Sequence, residues 1–102
     1  MDQDTYWADY RMALNPACSP QQLRQLAKSP NPAARALAVA HSTCPPDILA
    51  DAAQDPDAGV RMTVAGRPDC PAEVAQRLVD DPDPLVHAVA IQHPALDVTL
   101  VA

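Results

Sequence analysis

At 102 residues the chain fits one domain, which at this size buries roughly two thirds of the surface exposed by the unfolded form. Twenty alanines, no Phe, and aromatics confined to Tyr6, Trp7 and Tyr10 call for thin, closely packed layers and leave little room for a deep ligand pocket. Thirteen acidic against seven basic residues give a formal charge of −6, which repels phosphate backbones and argues against nucleic acid as a partner.

Residues 1–14 read as an N-terminal cap helix, with Tyr10, Arg11, Met12, Ala13 and Leu14 in register with positions 36–40 further on. The opening MDQDTYWADY lacks the basic and apolar segments of a secretory signal, and no run approaches the ~20 apolar residues of a membrane span, so a cytoplasmic protein is expected.

From Asn15 the chain repeats with a period of 26: residues 15–40, 41–66 and 67–92, with a partial fourth unit at 93–102. Cys18, Cys44 and Cys70 share one column, Pro30, Pro56 and Pro82 another, and all twelve prolines fall in five columns. A fixed period of this length marks stacked supersecondary units that bury their apolar faces against one another. Each unit carries two helical patterns. The first follows the cysteine column, with Pro45 and Pro71 at its first position in the second and third units, the cysteine standing in as N-cap, and inward stripes of Leu23, Leu26 and Ala27; Ile48, Leu49, Ala52 and Ala53; and Val74, Ala75, Leu78 and Val79. The second opens at Asn31-Pro32, Asp57-Ala58 and Asp83-Pro84, with Asn or Asp as cap. These second stretches are short and apolar on two sides, compatible with either α or 3₁₀ geometry. After Val98, Leu100, Val101 and Ala102 no polar capping helix follows, which suggests truncation or a covered C-terminal edge.

The pattern Asn/His-Pro-x-Cys/Thr-Pro, a short Leu-bearing helix, then Asp-Pro-Asp-x-x-Val-Arg resembles the bacterial leucine-rich repeat variant family. It is clearest in HSTCPPDILADAAQDPDAGVRMTVAG, and Asp55-Pro56-Asp57 with Val60-Arg61 also resembles HEAT-type repeats. The resemblance implies an all-α, right-handed α-solenoid of alternating α and 3₁₀ helices that serves as an interaction domain. Some members carry an N-terminal cysteine cluster holding an iron–sulfur centre. No cysteine precedes Cys18 here, so that cofactor is not implied.

Three features could carry chemistry. The cysteine column sits at a spacing of about one helix-packing layer, ~8–10 Å, too wide for a disulfide or shared metal. A small buried residue in a repeated slot is the simpler reading, with thiol reactivity as the other. Arg35, Arg61 and His87 form a second column, and His41, Arg67 and His93 a third. They form either a basic ribbon for an anionic partner or, in part, a ladder in which Arg35 and Arg61 pair with repeated acids such as Asp55, Asp57, Asp81 and Asp83. Trp7, with Tyr6 and Tyr10, either seals the first repeat or anchors a partner.

No Gly-rich phosphate loop, H-E-x-x-H or nucleophile elbow is present, so no catalytic, cofactor or metal residues are assigned and no enzyme is expected. The expected function is protein–protein interaction or scaffolding, with self-association through the C-terminal edge as a linked possibility. Binding of an anionic ligand or nucleic acid along the ribbon is the first alternative, and a fragment of a larger repeat protein the second. Candidate partner-binding residues are Arg35, His41, Arg61, Arg67, His87, His93 and Trp7.

Overall fold

The computed structural model describes residues 3–94 and is all-helical there. Seven α-helices follow one another: α1 (Gln3–Ala13), α2 (Pro20–Leu26), α3 (Pro32–Ala40), α4 (Pro46–Ala52), α5 (Ala58–Ala65), α6 (Ala72–Val79) and α7 (Pro84–Ala90). The apolar C-terminal segment expected to open a fourth repeat lies outside the described residues from position 95 onward.

The second helix of each unit is α-helical in all three cases, so no 3₁₀ alternation occurs among the described residues. The caps explain how helices of seven to nine residues hold, being marginal on their own. Asn31, Asp57 and Asp83 sit in extended backbone as N-caps, and their side-chain oxygens accept the N–H of Ala33, of Val60, and of Leu85 and Val86. Each cap follows a proline, in the triplets Ser29-Pro30-Asn31, Asp55-Pro56-Asp57 and Asp81-Pro82-Asp83. The first residue of every triplet accepts the backbone N–H of the third, at 3.1, 2.9 and 2.9 Å. These are small side-chain-to-backbone turns of the kind Ser and Asp favour.

The first helices begin one residue later than the sequence pattern suggests. The N-caps are Ser19, Pro45 and Pro71, so each cysteine stands one position ahead of the cap and is not itself the cap. Ser19 forms a capping box with Gln22, Ser19 N–H to Gln22 Oε1 at 2.8 Å and Gln22 N–H to Ser19 Oγ at 3.2 Å. Pro45 and Pro71 make no side-chain cap; the pyrrolidine holds φ near the extended value at the cap, and having no N–H it leaves no donor there to satisfy. Ahead of each cap a turn closes from Cys18, Cys44 and Cys70 N–H onto the carbonyls of Asn15, His41 and Arg67.

Packing is unequal between the two sets of helices. α1, α3, α5 and α7 stack on one another in sequence, while α2, α4 and α6 pack on that stack and scarcely on each other. The result is an elongated slab, 49 × 25 × 16 Å. Its core is the aliphatic series Leu23, Leu26, Val39, Leu49, Val60, Val64, Leu78 and Val86, interleaved with Ala34, Ala38, Ala75 and Ala90. Burying each larger aliphatic side chain contributes about 1.5–3 kcal/mol. Alanines at the stacking positions let neighbouring helices approach closely, and this keeps the slab thin.

Candidate functional site

The conspicuous polar feature is a network that runs along the stack. Arg35 grips Asp55 with two nitrogens, Nε to Oδ2 at 2.9 Å and Nη2 to Oδ1 at 3.1 Å, and its third donates to the Ser29 carbonyl at 2.8 Å. Arg61 repeats the arrangement with Asp81, at 2.7 and 3.3 Å, and donates to the Asp55 carbonyl at 2.6 Å. Asp55 is therefore a node: its carboxylate takes Arg35, and its carbonyl takes Arg61. This is the ladder alternative of the sequence reading, with Asp55 and Asp81 as the partners, while Asp57 and Asp83 are occupied as helix caps. The pairs are largely buried, with water still reaching the arginines. The Asp81 side chain is 5% exposed and that of Arg61 15%. Burial alone would raise the Asp81 carboxyl, but hydrogen bonds from Arg61 and from the Asp83 N–H outweigh it and hold it below the usual range. The Arg61 guanidinium is raised, chiefly by its hydrogen bonds to Asp81.

The network has a first rung that sequence reasoning missed. Ser29 occupies the Asp55/Asp81 column and Asp9 the Arg35/Arg61 column, and the Ser29 hydroxyl donates to Asp9 Oδ2 at 2.7 Å. Carrying the 26-residue period back to residue 9 would have revealed it. Asn31 adds a second tie to the same helix, Nδ2 to the Tyr6 carbonyl at 3.2 Å.

The third column points the other way. His41 donates Nε2–H to the Ala13 carbonyl at 3.0 Å, at the end of α1. Arg67 donates to the Val39 carbonyl at 2.8 Å and to the His41 carbonyl, while its other face is held by Asp69 at 2.8 and 2.9 Å. His93 donates Nε2–H to the Arg67 carbonyl at 2.6 Å. His41 and Arg67 thus cap carbonyls that the ends of α1 and α3 leave without helical partners. Arg67 and His93 are only 8% and 5% exposed, so neither lies on an open ribbon. In the other column His87 is exposed and turns to the Val79 carbonyl. The six residues therefore do not gather into one basic surface stripe.

Of the two readings left open for Trp7, exposure fits the anchor: it is 53% exposed and meets Tyr6 and Tyr10 edge to face, at centroid distances of 5.3 and 6.1 Å. The three cysteines are buried and free. Burial is the main influence raising the Cys44 and Cys70 thiols, which disfavours the reactive thiolate.

Stacked short helices tied by Asp-Pro-Asp turns and Arg–Asp rungs define a helical-repeat protein. Residues 58–83 match the leucine rich repeat variant family, the family that the sequence resembles; the match spans one period, from the start of α5 to the cap of α7. Repeats of that family are generally protein-interaction modules, and it is not a known enzyme family. No curated protein and no solved structure matches the chain. Among the described residues no helix is long and apolar enough to cross a membrane.

Proposed function

We propose that the chain is a right-handed α-solenoid of 26-residue repeats at 15–40, 41–66 and 67–92, flanked by partial units at 1–14 and 93–102. Its function is that of a non-catalytic protein-interaction or scaffolding module. The observation that carries this reading is the use made of the charged side chains: Arg35, Arg61 and Arg67 spend their donors on carboxylates and carbonyls of the chain itself. What the slab offers a partner is its long outer surface. Exposed Trp7 supplies an anchor of the residue type that dominates interface energetics. Leu85 and Ile91, exposed at the far end, support self-association at that edge. Ile91 stands in the column of Ala13, Val39 and Ala65, all of which are buried.

The test is a pull-down from the host extract at low and high salt, with and without nuclease. The reading predicts a discrete protein recovered regardless of nuclease, with recovery reduced by Trp7→Ala. Nucleic acid recovered alone, and only at low salt, would overturn it in favour of the anionic-ligand alternative.

A further inference from the structure

Because α2 and α4 scarcely touch, a groove lies between them, above the fully buried Val39 of α3 and Val60 of α5, with half-buried Ala27 and the buried edges of Ile48 and Ala52 along its apolar side. It holds about 200 Å³, roughly seven water molecules' worth of space. That suits one side chain far better than a cofactor.

Six charged residues also line this groove, and four of them form two pairs. Arg35 and Asp55 are the ladder rung, and Arg24 and Asp47 form an exposed salt bridge between α2 and α4. Lys28 and Asp51, each four residues beyond a member of that salt bridge, have no ion-pair partner among the described residues.

Repetition separates what stacking requires from what it does not. One period on, Arg35 and Asp55 recur as Arg61 and Asp81, but Lys28 and Asp51 are replaced by Gln54 and Arg77. The unpaired cation and anion are therefore particular to the first groove and not a demand of the fold.

We propose that the α2–α4 groove docks a protein segment in which an aliphatic side chain is flanked by one acid and one base. The aliphatic group enters between Ala27, Ile48 and Ala52, the acid meets Lys28 and the base meets Asp51. The proposal rests on the interaction-module reading and gives it a docking point.

The test is an NMR titration of the isotope-labelled full chain with the capped peptide acetyl-Asp-Leu-Lys-amide. Expected are amide shifts confined to the groove, at Ala27, Lys28, Ile48, Asp51 and Ala52, and absent at Ala53, Gln54, Arg77 and Leu78. Replacing the peptide's Leu by Ser abolishes them. Both charges are exposed, so variants there fold. Lys28→Glu turns the preference toward a Lys-Leu-Lys peptide, and Asp51→Lys toward Asp-Leu-Asp, each by about threefold or more. No groove shifts at millimolar peptide, equal shifts with the Ser control, full reproduction by free leucine, or unchanged preference in both variants would overturn the proposal. Failure of the pull-down with groove binding intact would instead strike the interaction-module reading.

Discussion

The two cationic columns look interchangeable in sequence and do opposite things in the fold. Arg35 and Arg61 reach forward twenty residues to a carboxylate of the next unit, whereas His41, Arg67 and His93 reach back 26 to 28 residues to main-chain carbonyls. The forward column satisfies charge with charge. The backward column closes the carbonyls at the ends of α1 and α3, and at His41 and Arg67 it adds a second donor to a carbonyl that already takes a cysteine N–H. A unit in the middle of the stack is thus held from both sides, and the difference teaches that a basic column in a repeat protein is not evidence of a basic surface.

The sharpest way to break this comparison is to remove the backward tie. Arg67→Met keeps the aliphatic stem but strands the Val39 carbonyl in a buried site and leaves the His41 carbonyl with only the Cys44 N–H. It should lower unfolding free energy by about 3 kcal/mol, measured by denaturant titration. Cutting a forward rung is the next largest effect. Arg61→Met leaves the Asp81 carboxylate nearly buried and without its guanidinium, at a cost of about 2 kcal/mol, moderated by the water that still reaches the arginine.

Acid should act on the forward rungs in a defined direction. The Asp81 carboxyl is depressed in the folded state, so the unfolded chain binds more protons at low pH. Its contribution is full above the ordinary carboxylate pKa of ~3.9 and is lost as pH falls through the lower folded value. Thermal melts should therefore hold steady from neutral pH to about pH 5 and decline below it. Asp81→Asn should flatten that decline. At the small end of the scale, Arg24→Ala removes a pair exposed on both sides and should leave the midpoint of the same denaturant titration unchanged.

Much of the fold was legible because the period was. Columns of Cys, Pro and Asn/Asp located the starts of α2 to α7 to within a residue, and the inward stripes are buried at Leu23, Leu26, Ile48, Leu49, Ala52, Val74, Ala75 and Leu78 and partly buried at Ala27, Ala53 and Val79. The one-residue slip at Cys18, Cys44 and Cys70 arose because a cysteine and a proline can each precede a helix, and only backbone angles decide which is the cap. Helix type was open for α3, α5 and α7 because short apolar stretches carry no periodic signal of their own; stacking on neighbours decides it. The ladder was foreseen for Arg35 and Arg61, but the backward ties were not. A bond from a side chain to a carbonyl leaves no mark on the residue that accepts it, so the targets of His41 and Arg67 cannot be read from a sequence. Composition left Trp7 open between sealing the first repeat and anchoring a partner; the polar ties between α1 and the next unit are made by Asp9 and the Tyr6 carbonyl.

The central claim is that the Arg–Asp rungs bind one repeat to the next rather than decorating a surface, and a double-mutant cycle on Arg61→Met and Asp81→Asn tests it most directly. The structure predicts a coupling energy of about 1.5 kcal/mol or more, against no resolvable coupling for the exposed pair Arg24 and Asp47 measured the same way. Equal and negligible coupling for both pairs would contradict the claim and return the arginine column to the surface.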